Sequence, residues 1–84
     1  MKSCFICGAT KDIEKHHVFF GNPNRKHSEK HGLTVDLCPE HHRGTQGVHN
    51  NRSLDLSFKK IYQARFEEKH SREDFIATFG RNYL

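Results

Sequence analysis

The stretch LCPEHHRGTQGVH, residues 37–49, contains one cysteine and three histidines and decides how the rest of the chain is interpreted. Two residues separate Cys38 from His41, and two residues also separate Cys4 from Cys7 near the start of the chain. A gap of this length lets a tight turn direct two side chains at one point, and zinc prefers four soft or borderline ligands in a tetrahedron. These four residues predict a structural zinc site. The alternatives are cysteines that are simply buried and a redox-active Cys4–Cys7 pair, which requires a strand and then a helix that the first seven residues cannot supply.

The composition predicts one small domain, residues 1–84, with little apolar material for a core. Only 33% of the 84 residues are hydrophobic. A chain this short buries a modest fraction of its surface when it folds, so it needs additional stabilisation. A structural metal ion is one way to provide it.

The charge balance favours a polyanionic partner. Lysine and arginine number 14 against 10 aspartates and glutamates, giving a net charge of +4, and there are eight histidines. The three cysteines cannot form a closed set of disulfides, and we find no secretory signal and no run of apolar residues long enough for a membrane span. We therefore expect reduced thiols, a cytoplasmic location and no membrane association.

The first half of the chain predicts two paired strands around an exposed loop. The segment 13–20 and the alternating segment 33–38 are the predicted strands. Between them, residues 21–32 contain two glycines and a proline and lack an apolar face, so we expect a loop with one helical turn near Ser28.

The second half predicts helices. One should begin after Cys38 at Pro39 and end after about one turn, because glycines follow. A longer helix is expected over residues 53–69, and a final one from Ser71 to Gly80. The result is a small α+β fold. All seven phenylalanines are expected in the core, although Phe19 or Phe20 could instead stack on a nucleobase.

Four more histidines, namely His16, His17, His42 and His49, call for a second site. Neighbouring residues of a strand point to opposite faces, so His16 and His17 can reach one site only if the strand ends or bulges there. In an unbroken helix, His42 and His49 would lie about 10 Å apart along the axis. The glycines between them allow the chain to fold back. His27, His31 and His70 are expected to be surface histidines.

The motifs together resemble the HNH nucleases, especially short phage-encoded members. The resemblance rests on C-x-x-C, on HHVF at 16–19, on NRK, SEK and GL within 24–33, on LCP and HH within 37–42, and on the terminal FGRNYL. It covers nearly the whole chain. It implies a ββα-metal core with structural zinc knuckles, followed by C-terminal helices.

The resemblance also implies the roles of the histidines. His16 would bind a catalytic divalent cation, which could be Mg²⁺, Mn²⁺, Ni²⁺ or Zn²⁺, and His17 would act as the general base. His42 and His49 would complete the site of the catalytic metal. Arg43, adjacent to His42, is our candidate for stabilising the phosphate charge.

A basic cluster in the predicted loop is the candidate DNA contact. It consists of Arg25, Lys26 and Lys30, which would hold the phosphate backbone without reading bases. A solvated basic loop is the alternative. The function implied is a metal-dependent DNA endonuclease of low sequence specificity.

Departures from the family pattern leave a second function open. The family's central asparagine is absent, so Asn24 or another group, such as a backbone carbonyl, would have to orient His17. His41 stands where the family more often has cysteine, and the gap between His42 and His49 is unusually long. A zinc-stabilised nucleic-acid binding module without cleavage activity is therefore the alternative. Phage recombination or packaging proteins are possible partners, and the sequence leaves the oligomeric state open.

Overall fold

The computed structural model describes residues 2–84 and shows a small α+β fold with a two-stranded sheet and four helices among these residues. The elements in chain order are β1 (Glu14–His17), α1 (Asn24–His31), β2 (Thr34–Leu37), α2 (Pro39–Arg43), α3 (Arg52–Phe66) and α4 (Arg72–Phe79). No helix in the described part of the chain combines the length and the apolar character of a membrane span.

The two predicted strands form and pair, but β1 is shorter than residues 13–20. The strands are antiparallel, with Glu14 opposite Leu37 and His17 opposite Thr34. Beyond His17 one more backbone bond joins the two segments, from the Val18 N–H to the Leu33 carbonyl at 3.1 Å. The backbone of the next residue, Phe19, bonds instead to a side chain. Its N–H donates to Ser28 Oγ at 3.1 Å, and its carbonyl accepts from the same hydroxyl at 2.6 Å.

The prediction of a loop over residues 21–32 is wrong, since α1 occupies most of it. This helix lacks an apolar stripe, and its only fully buried residue is Ser28. It ends at Gly32, whose φ of 70° lies in the left-handed region that glycine tolerates. Contacts with the rest of the molecule therefore stabilise α1, and an apolar face does not. For this reason the helix cannot be recognised from the periodicity of apolar residues in the sequence.

The predicted helices of the second half are confirmed, with shifted ends. Helix α2 ends at Arg43 and residues 44–50 form turns, as the two glycines predict. Helix α3 begins after Asn51, whose side chain accepts from the Leu54 N–H, and ends at Phe66, three residues before the predicted end at 69. Helix α4 has the predicted Ser71–Asp74 capping box.

Aromatic side chains dominate the core where α1, α3 and α4 meet. The ring of Phe19 contacts those of Phe75 and Phe79, with centroid separations of 5.1 and 4.7 Å. The expectation that every phenylalanine is buried is wrong for Phe5 and Phe20, which are 55% and 45% exposed. Phe5 lies in the N-terminal turn, and Phe20 lies just beyond β1.

Candidate functional site

All four predicted ligands of the structural zinc come together in one cluster. The ligand atoms of Cys4, Cys7, Cys38 and His41 all lie within 4.8 Å of one another. His41 Nδ1 is 3.3 Å from Cys38 Sγ and 3.7 Å from Cys4 Sγ, and the Cys7 and Cys38 sulfurs are 3.8 Å apart. All three cysteines are free thiols. The N-terminal turn supplies the first pair, and α2 and the residue before it supply the second.

The spacing and chemistry of this cluster fit a metal ion such as zinc. Ligands at about 2.3 Å from a tetrahedral ion are about 3.8 Å apart, close to the observed separations. Burial acts to raise the pKa of the Cys4 thiol, but backbone N–H groups, led by that of Cys38, outweigh it and bring the pKa to about 6. The Ala9 backbone acts to lower the pKa of Cys7, yet burial and the two neighbouring thiols raise it. A bound cation would offset the electrostatic repulsion between neighbouring thiolates.

A second cluster contains three histidines from separate parts of the chain. The ligand nitrogens of His16, His42 and His49 also lie within 4.8 Å of one another. His42 Nε2 and His49 Nε2 are 3.1 Å apart. Strand β1 carries His16, α2 carries His42, and the turns after Gly44 bring His49 back to the site. The predicted chain reversal at the glycines is therefore confirmed.

His16 supplies an independent sign that this cluster fits a cation. Its side chain is buried, and its Nε2 has no hydrogen-bond partner among residues 2–84. Burial lowers the pKa of His16 to about 3, and the nearby His49, His42 and Lys59 act in the same direction. The imidazole is therefore neutral near pH 7, with a nitrogen available as a ligand. A buried polar atom with no partner is costly, and a metal ion would satisfy it.

Glu14 fixes the orientation of one of these histidines. His42 Nδ1 donates to Glu14 Oε1 at 2.7 Å, which leaves His42 Nε2 with its lone pair facing the other imidazoles. Arg43 Nη2 lies 2.9 Å from the other oxygen of the carboxylate. Hydrogen bonds from Arg43 and then His42 lower the pKa of Glu14 to about 2. Arg43 is thus placed at the site through Glu14, while its side chain remains 66% exposed.

His17 points to the other face of β1, toward α1. His17 Nε2 is 3.2 Å from Glu29 Oε1, and Lys15 Nζ is 3.2 Å from Glu29 Oε2. Because a carboxylate only accepts, His17 Nε2 carries the hydrogen and Nδ1 presents a lone pair. Hydrogen bonds from His17 and Lys15 lower the pKa of Glu29. The side-chain amide of Asn24 instead donates to the Phe79 carbonyl at 3.3 Å, so Asn24 does not orient His17.

A cleft of about 590 Å³ joins both faces of the strand end. Because β1 ends at His17, both His16 and His17 line this cleft, together with His42 and His49. Other residues of the wall are Lys15, Phe20, Gly21, Asn22, Arg25 and Lys26. Of the predicted DNA contacts, Arg25 and Lys26 therefore lie beside the histidines. In the part of the chain that the structure describes, the cleft wall does not include Lys30 or Arg43.

Sequence reasoning missed two carboxylates of the site. The alternation of β1 already places Glu14 on the same face as His16, so the segment EKHH contains a usable signal for Glu14. Glu29 gives no such signal, because its position depends on α1 being a helix.

Comparison with protein-family models, with curated proteins and with solved structures finds no match for this chain.

Proposed function

We propose that the protein is a metal-dependent endonuclease that hydrolyses DNA phosphodiester bonds in the manner of the HNH nucleases. One observation carries the proposal. The buried His16 Nε2, which lacks a partner in residues 2–84, faces two further imidazoles in a cleft where His17 also presents a free nitrogen. A cation site beside a candidate base is the arrangement that activation of water near a phosphate requires.

His17 is the proposed general base. Its Nε2–H is held by Glu29, so Nδ1 can accept a proton from the attacking water. The Glu29 carboxylate then stabilises the imidazolium that forms. General-base help of this kind is typically worth about 10²–10⁴-fold in rate.

His16, His42 and His49 are the proposed ligands of the catalytic cation, and Glu14 orients His42. A divalent cation bound there supplies Lewis-acid stabilisation of the charge on the phosphate and on the leaving oxygen. Arg43, exposed and anchored by Glu14, is the proposed second source of positive charge.

The ββα-metal description belongs to this proposal as well. In it, β1, β2 and α2 form the core, α1 is inserted between the strands, and the cysteine cluster holds a structural zinc. Arg25 and Lys26 then bind phosphates of the DNA backbone beside the histidines, and Lys30 binds the backbone from farther along α1.

A plasmid assay tests the proposal. Supercoiled plasmid is incubated with zinc-loaded protein and Mg²⁺, Mn²⁺, Ni²⁺ or added Zn²⁺, and nicked and linear products are measured. We expect cleavage with at least one metal, and a loss of about 10²–10⁴-fold in the His17→Ala variant. That variant should retain both metals, because His17 is not a ligand.

The surface residue His70 provides the matched control. His70→Ala also removes an imidazole, but His70 lies outside the cleft wall and should leave cleavage unchanged. If the wild-type protein binds DNA but cleaves it with none of these metals, the endonuclease proposal fails. The binding module of the same fold then becomes the better description.

A further inference from the structure

Phe20 is an aromatic side chain that the proposed chemistry does not use. It follows the buried Phe19 in the chain, lines the cleft and is 45% exposed. It lines the main cleft and also a second hollow of about 320 Å³. Single exposed apolar side chains are common on protein surfaces, so the significance of this ring depends on the groups around it.

The ring of Phe20 is held in position from inside the protein. Lys59 Nζ lies 4.1 Å from its centroid, and Lys59 is buried and paired with Asp55. The rings of His16 and His49 contact it as well, with centroid separations of 6.0 and 5.4 Å. Since the ammonium group covers one face, the 45% exposure comes from the remaining surface of the residue. The Phe20 ring is therefore held in a fixed position beside the imidazole cluster, where it forms an aromatic platform.

Positive charge stands on both sides of this platform. Arg25 and Lys26 line the main cleft, and Arg52 lines the second hollow, where the Asp55 carboxylate is paired with Lys59. Cations that track a phosphate backbone on either side of an exposed aromatic ring are the usual construction of single-strand binding grooves. In duplex DNA the bases are stacked on one another, so only an unpaired or flipped base offers its face to such a ring.

We propose that Phe20 stacks on an unpaired nucleobase, so that the cleft takes DNA with a single-stranded segment in preference to continuous duplex. This inference rests on the proposed function, because it names the form of the DNA that the same cleft receives. The strand would run from Arg25 and Lys26, across Phe20 beside the histidines, to Arg52.

Binding measurements with three DNA probes test the inference. The protein carries His17→Ala to prevent cleavage, and fluorescence anisotropy gives its affinity for a labelled single strand, the corresponding duplex, and a strand with abasic sites. We expect the single strand to bind more tightly than the duplex. Phe20→Ala should weaken single-strand binding roughly tenfold to a hundredfold, and should change binding to the duplex and to the abasic strand less than about twofold.

Two further substitutions separate stacking from bulk. Phe20→Trp retains an aromatic face and should retain single-strand affinity, whereas Phe20→Leu keeps apolar volume and should lose it. If Phe20→Ala disturbs the neighbouring histidines, the comparison of Phe20→Trp with Phe20→Leu still tests whether binding requires an aromatic ring. Phe5→Ala is the matched control, because Phe5 is 55% exposed and packs against Phe58 away from the cleft. It should leave every affinity unchanged.

The inference is overturned if Phe20→Leu binds the single strand as well as Phe20→Trp does, or if Phe20→Ala weakens all three probes equally. Its failure is distinguishable from failure of the endonuclease proposal. Plasmid cleavage by the wild-type protein without a role for Phe20 would remove only the inference. Phe20-dependent binding of single strands without cleavage under any metal would remove only the nuclease activity.

Discussion

Two adjacent histidines of α2 belong to different clusters. His41 Nδ1 lies near the sulfurs of Cys38 and Cys4, whereas His42 contacts Glu14 and His49. Successive residues of a helix are turned by about 100°, so the two imidazoles diverge from neighbouring positions. One set of ligands is rich in thiolate and the other is all imidazole. They should therefore differ in their preferred metal and in how tightly they hold it.

Separate substitutions of these histidines should have opposite effects. We expect His41→Ala to release the proposed structural zinc and lower the stability, because it removes a ligand of the thiolate site. We expect His42→Ala to keep that zinc and to lose cleavage. Native mass spectrometry, run alongside the plasmid assay, gives both readouts. Loss of the same metal in the same proportion from both variants would show that there is one site and not two.

Ligands that are close together in the sequence were the predictable part of the site. Cys4, Cys7, Cys38 and His41 were predictable because each pair is local in sequence and a tight turn fixes its geometry. The surplus of histidines already indicated a second site, and the choice of His16, His42 and His49 as its ligands came from the resemblance to HNH nucleases. The contact between His17 and Glu29 was not predictable, because it depends on where a neighbouring helix packs.

At the scale of elements, α1 shows where sequence patterns stop being informative. The strands were predictable in outline from alternating apolar residues, and α3 from its apolar stripe. Helix α1 lacks such a stripe and is held through a hydroxyl group. Ser28 Oγ both donates to the carbonyl of Phe19 and accepts from its N–H. These two bonds lie two residues beyond the end of β1 at His17, so one serine joins α1 to the chain segment beside the cleft.

Removing this hydroxyl should therefore be costly. We expect Ser28→Ala to lower the free energy of unfolding by about 1–3 kcal/mol, since it leaves the buried N–H and carbonyl of Phe19 without partners. Urea unfolding of the zinc-loaded protein measures the change. Ser57→Ala is the matched control, because Ser57 Oγ donates to the Ser53 carbonyl on an exposed face of α3. A Ser28→Ala variant no less stable than Ser57→Ala would mean that other contacts hold α1.

For the molecule as a whole, the cysteine cluster connects the N-terminal segment to the rest of the fold. Residues 2–13 contain neither helix nor strand. Their long-range backbone tie is the hydrogen bond from the Phe5 N–H to the Asp36 carbonyl, at 2.8 Å. Cys38 follows β2 directly and begins α2, so a metal ion there would join the N-terminal turn, the sheet and the helix that carries His42.

Loss of this metal should unfold the domain. Structural zinc contributes about 10–16 kcal/mol of apparent binding free energy in small metal-dependent domains. That is comparable to the whole stability of an ordinary domain, about 5–15 kcal/mol. We therefore expect Cys38→Ser, or excess chelator, to abolish the cooperative melting transition seen by circular dichroism in reducing buffer. His49→Ala is the control, because it removes a ligand of the imidazole cluster alone and should preserve that transition. A Cys38→Ser protein that lacks zinc and melts at the wild-type temperature would show that the aromatic core is sufficient for folding.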